Sequence, residues 1–239
     1  MHNCQEMKRF HFIKFLVKVC SMPKTKPAKQ TPSKGAGRPR AADVETRAED
    51  LKRTAGRLFL EKGYGNVSLE MIAREARVAV RTIYTKFGGK TGLLGALLHT
   101  KREQFFANMD MAQDTRPIKE VLHDFATRLY SLLTSADAVG LQRMLAAEAR
   151  SNPQLVDTFF AMGPNITREA IKRFLQRPDI RAQLRDDLPD DEQLAIHFVN
   201  CVLGDQMSRV LRDKPEGTPE QCALAMGRRM ELFYRSVLR

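Results

Sequence analysis

Residues 68–87, SLEMIAREARVAVRTIYTKF, contain two short helical patterns that are separated by only a few residues. The apolar positions are Leu69, Ile72, Ala73 and Ala76 in the first pattern and Val78, Ile83 and Phe87 in the second. Each set falls on one face of a helix with 3.6 residues per turn. Two helices joined by so short a turn form either a helix-turn-helix or an αα-hairpin with a solvated charged face, and the pattern alone leaves both interpretations open.

The second helix of this pair has a free face that the residues expected to be buried do not occupy. The residues of this face are Val80, Arg81, Thr82, Tyr84, Thr85 and Lys86. In a helix-turn-helix, the second helix lies in the major groove of DNA, where its side chains contact base edges. We expect Arg81 to bind guanine through two parallel donors, and Val80 and the methyl group of Thr85 to contact thymine methyl groups. The expected phosphate contacts are Thr82, Tyr84, Lys86, Ser68 and Lys90.

The net charge of +12 is confined to the first 90 residues. Residues 1–40 contain ten Lys or Arg and one acidic residue, residues 41–90 contain ten and seven, and residues 91–239 contain twenty of each sign. We expect residues 1–40 to form a disordered basic arm, with Arg38 and Arg40 entering a minor groove of DNA. This distribution indicates a polyanionic partner for one end of the chain and a neutral body at the other end.

Apolar periodicity predicts an all-α fold. The predicted helices span about 43–62, 69–76, 79–86, 90–110, a segment that Pro117 opens, a segment around Leu141, 153–176 with a kink or break at Gly163-Pro164, 191–212 and 219–237, with a charged loop at 177–191. Thr218 and Gln221 form a capping-box pattern at the start of the last helix. The expected domains are the basic arm (1–40), a three-helix helix-turn-helix domain (41–90) and an α-helical domain for effector binding and dimerisation (91–239).

Residues 47–98 resemble the DNA-binding domain of the TetR/AcrR family of transcriptional regulators. The matching segments are AGRLFLEKGYGNVSLEMIA at 55–73, the pattern VxxxTIYxxF at 78–87 and GGKTGLLGALL at 88–98. Arg77 stands where the family usually has a turn Gly, Ala79 replaces the usual capping Ser, and Thr91 replaces a usual acidic residue. We expect Arg77 to contact a phosphate or to strain the turn. We also expect Ala79 to contact DNA. The missing Ser cap would cost about 1 kcal/mol.

Residues 142–160, QRMLAAEARSNPQLVDTFF, resemble the C-terminal domain of AefR-like members of that family. The resemblance implies that the C-terminal helices enclose a ligand pocket and that the last two helices form a homodimer. The candidate pocket residues are Phe125, Met144, Phe159, Phe160, Met162, Phe174, His197 and Cys201. The candidate dimer residues are Ile196, Val199, Leu203, Val210, Cys222, Met226, Met230, Phe233 and Val237. A cavity lined by Met and Phe suits an apolar or aromatic effector, and ordinary core positions are the alternative for each residue.

Other function classes have little support in the sequence. The chain has no GxSxG, HExxH or P-loop motif and no Cys/His metal spacing, so we predict neither an enzyme nor a metal or cofactor site. No run of 18 apolar residues is present, and we expect a cytoplasmic protein without a membrane span. The resulting prediction is a ligand-responsive repressor that binds a pseudo-palindromic operator as a homodimer and is released by its effector. The alternative is a nonspecific or architectural nucleic-acid binder driven by the basic arm.

Overall fold

The computed structural model describes residues 41–107, 109–212 and 217–239. Over these ranges the chain is helical, and the extended pairing is a single bridge between Leu184 and Leu238. The helices are α1 (Ala41–Lys62), α2 (Leu69–Glu75), α3 (Val80–Phe87), α4 (Lys90–Phe106), α5 (Ile118–Leu133), α6 (Ala136–Glu148), α7 (Pro153–Met162), α8 (Pro164–Leu175), α9 (Pro178–Arg181), α10 (Asp191–Leu203), α11 (Gln206–Leu211) and α12 (Pro219–Val237). The all-α prediction is confirmed.

Helices α1 to α4 pack around the first of two apolar cores. This core contains Leu51, Ala55, Leu58 and Phe59 from α1, Ile72 from α2, Ile83 from α3 and Leu93 and Leu94 from α4. Met144 and Leu145 of α6 and Leu155 of α7 belong to the same core. Packing therefore continues across residue 90, where the sequence predicts a domain boundary.

The second core lies among α5, α8, α10 and α12, and α10 packs against the other three helices. Phe198 of α10 is fully buried at its centre. Its ring lies 6.0 Å from the ring of Phe125 in α5 and 5.4 Å from that of Phe233 in α12. Aromatic pairs at such distances contribute about 0.5–1.5 kcal/mol beyond the area that they bury. One side chain thus ties three helices together.

The helix starts follow the predicted capping residues. The Ser68 hydroxyl oxygen accepts a hydrogen bond from the backbone N–H of Met71 at 3.2 Å, which caps α2. Thr218 and Gln221 form the predicted capping box at the start of α12. Ala79 precedes α3 with extended backbone but makes no side-chain bond to it. The first turn of α3 therefore lacks a stabilisation of about 1 kcal/mol that a Ser would supply there.

The predicted helix over 191–212 is wrong in one respect, because it breaks between α10 and α11. Gly204 has a φ of 61° and ends α10. The last carbonyl groups of α10 are then satisfied by side chains: the Arg229 guanidinium donates to the carbonyl oxygens of residues 201 and 202 at 2.7 and 3.0 Å. The charged loop predicted at 177–191 also contains a short helix, α9, and the helix predicted to reach residue 110 ends at Phe106.

We expect Phe198→Ala to lower the free energy of unfolding by about 3–5 kcal/mol, because the cavity that it leaves touches three helices. Phe198→Leu keeps most of the volume and is expected to cost clearly less. Urea denaturation followed by circular dichroism measures both variants. An Ala variant as stable as the unmodified protein would contradict the central place of Phe198 in this core.

Candidate nucleic-acid interface and effector cavity

The turn between α2 and α3 holds the second helix of the predicted helix-turn-helix in place. Ile83 of α3 is fully buried, while Ala76 and Val78 are partly buried at the turn. The backbone N–H of Val78 donates to the carbonyl oxygen of Ala73 at 2.9 Å. Arg77 has a φ of 53°, in the left-handed region that favours glycine, and among the described residues it is the only non-glycine residue with a positive φ. The turn is therefore strained where the sequence departs from the family pattern.

The opposite side of α3 faces solvent. Arg81, Tyr84, Thr85 and Lys86 are exposed, with 58% of Tyr84 accessible, and Val80 and Thr82 are partly buried. The Thr85 hydroxyl donates to the carbonyl oxygen of Arg81 at 2.8 Å, so it is used within the helix. Residues 79–87 contain no acidic side chain. This face combines cations, hydroxyl groups and an aromatic ring on an anchored helix, which suits contacts with both base edges and phosphates.

Lys90, which the sequence assigns to a phosphate contact, has a role inside the domain. Its Nζ donates to the carbonyl oxygens of Tyr64 and Val67 at 2.8 and 2.9 Å and lies 4.2 Å from the centre of the Tyr64 ring. Burial lowers the pKa of this ammonium from its usual value, and the nearby Glu148 carboxylate opposes that change. An ammonium has three donors, so one remains for a DNA phosphate, and that contact stays a prediction.

A cavity of about 920 Å³ is lined by residues from α1, α4, α5, α6, α7, α8, α10 and α11. Its apolar wall includes Leu97, Leu98, Phe105, Leu141, Phe159 and Met162. Small-molecule sites commonly have about 300–1,000 Å³ and mostly apolar walls. Helices α1 and α4 also contribute to the first core, so the cavity borders the helices that support α2 and α3.

Three of the eight predicted pocket residues line this cavity, namely Phe159, Phe160 and Met162. They lie on α7, immediately before the break at residues 163 and 164. The residues after the break, Pro164, Thr167 and Arg168, line the cavity as well. The break that the sequence predicts therefore lies at the cavity wall.

The other five predicted pocket residues lie elsewhere. Phe125 and Phe174 are buried in the second core and Met144 in the first, which is the alternative that the sequence left open. His197 is exposed, and Cys201 is partly buried with its Sγ 3.8 Å from the Nε2 of His197. Helical periodicity identifies a buried face but does not distinguish a packed core from the wall of a cavity.

The polar part of the cavity wall is absent from the sequence prediction. The Gln206 side-chain amide donates to the Oε1 of Gln142 at 2.9 Å, and both residues line the cavity. Arg168 of α8 lines it too. Nothing in the spacing of these residues distinguishes them from solvated surface positions. The Gly163-Pro164 break was the available signal, since residues on both sides of it reach the cavity.

Further hydrogen bonds connect the helix-turn-helix region with the helices around the cavity. The backbone N–H of Gly65, in the loop between α1 and α2, donates to the Oε1 of Glu148 at the end of α6 at 2.7 Å. Lys52 of α1 donates from its Nζ to the hydroxyl of Thr100 in α4 at 2.7 Å. A displacement of α4 or α6 would therefore act directly on the first helix and the first loop of the helix-turn-helix region.

The predicted dimer residues lie largely inside the subunit. Leu203, Met226, Met230, Phe233 and Val237 are buried, and Ile196, Val199, Val210 and Cys222 are partly buried. The stripe of α12 that periodicity identifies packs into the second core, because this helix covers α5 and α10 of its own chain. The exposed apolar residues of the last two helices are instead Met207, Leu211, Leu224 and Leu232.

The described residues offer no sign of a metal centre or a membrane span. No group of three His, Cys, Asp or Glu residues among them is placed to hold a metal ion. None of the helices described for this chain is long and apolar enough to cross a membrane.

Two family models match the chain. Residues 53–97 match the model described as "Bacterial regulatory proteins, tetR family", and residues 120–235 match the model "AefR-like transcriptional repressor, C-terminal domain". The chain belongs to the TetR family. Its members are transcriptional regulators with a DNA-binding helix-turn-helix domain and a ligand-binding C-terminal domain, and they are not enzymes. In this TetR-family chain, the first match contains α2, the strained turn and α3.

Solved TetR-family structures share the fold. A transcriptional regulator from Mesorhizobium loti has 19% sequence identity and a TM-score of 0.68, over 82% of this chain and 98% of its own. The flavonoid-responsive regulator FrrA has 24% identity and a TM-score of 0.66, over 81% and 98%. NalD of Pseudomonas aeruginosa, the secondary repressor of the MexAB-OprM multidrug efflux pump, has 24% identity and a TM-score of 0.58, over 83% and 98%. No curated protein sequence matches the chain.

The strained turn of this TetR-family chain gives a prediction that separates backbone strain from charge. We expect Arg77→Gly to raise the free energy of unfolding by about 1 kcal/mol, because glycine adopts the left-handed conformation without a steric cost. Arg77→Ala removes the same guanidinium but keeps the strain, and serves as the matched control. Urea denaturation measures both variants. Equal stabilities of the two would contradict the strain.

Proposed function

We propose that this protein is a repressor that binds a pseudo-palindromic operator as a homodimer and is released by a small apolar or aromatic effector. The observation that carries the proposal is the exposed face of α3, which is free of acidic residues and anchored by the buried Ile83. The proposed DNA contacts are Ser68, Arg77, Ala79, Val80, Arg81, Thr82, Tyr84, Thr85, Lys86 and Lys90. Arg81 is the residue proposed to bind guanine, and the others supply apolar and phosphate contacts.

The proposed effector site is the 920 Å³ cavity. Its walls carry the aromatic and aliphatic side chains that an apolar or aromatic molecule would contact. Two proteins of similar fold fit this proposal, since FrrA is a flavonoid-responsive regulator and NalD is the secondary repressor of a multidrug efflux pump. We extend this kind of effector to the present chain as part of the proposal.

The release of DNA is proposed to pass through α1 and α4. Both helices line the cavity, and both contribute to the core that holds Ile83 of α3. In one conformation of the proposed dimer, the two recognition helices no longer match successive major grooves. An effector that binds this conformation better shifts the population toward it. The shift is limited by the difference between the affinities of the effector for the two conformations.

The exposed apolar residues support a dimer through the last helices. Among the described residues, the large exposed hydrophobic side chains are Leu60, Tyr84, Phe160, Met207, Leu211, Leu224 and Leu232. Tyr84 lies on the proposed DNA face, and Leu60 and Phe160 line the cavity. The remaining four lie on α11 and α12, so we propose that they replace the buried stripe as the apolar part of a twofold interface.

The basic arm carries the alternative function. Arg38 and Arg40, with the rest of residues 1–40, lie outside the described residues, and the minor-groove contact stays a prediction. A nonspecific binder driven by this arm would lose affinity steeply with salt and show no preferred site. A repressor keeps about a 10³-fold or greater preference for its operator. We place the protein in the cytoplasm, where its DNA partner is found.

The proposal is tested by selecting binding sites from a randomised DNA library and measuring their affinity by fluorescence anisotropy at two salt concentrations. We expect a two-fold symmetric site whose preference over scrambled DNA survives the higher salt. Arg81→Ala should lose about 1–3 kcal/mol of that preference, at one base pair in each half-site, because it removes a bidentate base contact. Arg185→Ala, a change of the same charge on a distant loop, is the control. Selection of no common site would favour the arm-driven alternative.

The dimer face is tested separately by analytical ultracentrifugation. We expect Leu232→Glu to shift the protein from dimer to monomer and to weaken operator binding, because a charge would be buried in the twofold interface. Gln154→Glu places the same charge on the exposed face of α7 and should leave the dimer intact. A dimer that tolerates Leu232→Glu would place the interface elsewhere.

A further inference from the structure

The cavity of about 920 Å³ carries more positive than negative charge, although its wall is mainly apolar. Six Lys or Arg residues and four Asp or Glu residues line it. Three of the cations are paired with acids of the same wall: Lys52 with Glu49, Arg53 with Asp50, and Arg57 with Glu61. The fourth acid, Asp137, lies in the first turn of α6, where the positive end of the helix stabilises it.

The three remaining cations of the wall differ in their surroundings. Lys101 is exposed to solvent. Arg102 pairs with Glu103 of its own helix, with Nη2 and Oε1 3.0 Å apart. Arg168 is partly buried, and among the described residues its guanidinium has no hydrogen-bond or ion-pair partner. Two amides of the same wall bind elsewhere: Gln206 donates to Gln142, and Gln142 donates to the carbonyl oxygen of Leu133.

Arg168 keeps its hydrogen-bond donors unused by the described part of the protein. Arginine cannot lose its charge, and its planar group presents five donors that a ligand could use. Two other arginines that contact the interior bind backbone carbonyl groups. Arg229 binds two carbonyl oxygens at the end of α10, and Arg177 binds the carbonyl oxygens of Met111 and Asp114 at 2.8 and 2.7 Å. Arg168 is thus available to a ligand in the cavity.

We propose that the effector is an amphipathic carboxylate, whose apolar body lies against the apolar wall of the cavity and whose carboxylate accepts two hydrogen bonds from Arg168. This inference rests on the proposed function and narrows its effector from apolar molecules in general to those that carry one negative charge at one end. A carboxylate matches the fork of a guanidinium, and the pair is stronger than a neutral hydrogen bond. The apolar surroundings of Phe159 and Met162 supply the affinity for the uncharged part.

The test uses two fluorescent probes that differ only in charge: 11-(dansylamino)undecanoic acid and its methyl ester. The intact protein is titrated with each, and binding is followed by the rise in dansyl fluorescence. We expect the acid to bind about tenfold or more tightly than the ester, as the difference between a charge-assisted and a neutral contact implies. Arg168→Gln should remove this preference, while binding of the ester stays within about twofold. Arg168→Lys should restore part of it.

The matched control is Arg173→Gln, which removes an exposed arginine from the same helix, where it pairs with Glu169 at 2.9 Å. It should keep the full preference for the acid. Equal binding of the two probes by the unmodified protein, no binding of either probe, or a preference that survives Arg168→Gln would each overturn the inference.

The preference for an operator over scrambled DNA is measured without any probe. This measurement distinguishes failure of the carboxylate inference from failure of the proposed repressor function. If Arg168→Gln keeps operator binding but the probes show no charge preference, the repressor proposal stands and the effector class is wrong. If the charge preference is present but no operator is selected, the carboxylate site stands and the repressor proposal fails.

Discussion

The packing of α4 against α1 is the contact on which the rest of the structure depends. Leu93 and Leu94 of α4 are buried in the same core as Ile83, the residue that anchors α3. The two helices approach closely at Gly56 of α1, where an added Cβ would lie 2.8 Å from a methyl carbon of Leu97. Glycine inside a helix costs about 1 kcal/mol relative to alanine, and close packing offsets that cost here. The position of α3, and with it the DNA-facing surface, follows from this contact.

The same contact forms part of the cavity, since Gly56 and Leu97 both line it. A molecule in this cavity would touch the helix pair that holds α2 and α3. The proposed effector site and the proposed DNA-binding surface therefore share these two helices. The bond from Gly65 to Glu148 adds a second connection at the end of α6. Coupling between effector and DNA in such an arrangement needs no long chain of contacts. It requires only that the effector and the DNA favour different spacings between α1 and α4.

The helices and the exposed face of α3 could be predicted from the sequence because they depend on local patterns. Periodicity and capping residues place α2, α3 and α12 within about two residues, and the Gly163-Pro164 break is where it was expected. The residues against which each buried side chain packs could not be predicted in this way. Phe125 and Phe198 pack against each other across 73 positions of sequence, and no local pattern states that their faces meet in a dry core instead of at a cavity. The family resemblance assigns the stripe of α12 to a dimer, and periodicity does not test this, because a helix buried by its own chain has the same periodicity as one buried by a partner.

The charge pattern shows the same limit. The sequence describes residues 91–239 as neutral, with twenty charges of each sign. In the structure these charges are not equivalent. Arg177 and Arg229 bind backbone carbonyl groups, Arg116 pairs with Asp114 and Asp124, and many others lie in solvent. The net charge does not distinguish these surroundings, whereas the proposed effector site depends on Arg168, a partly buried cation of the cavity wall. A body that is neutral overall can therefore contain a strongly selective site for an anion.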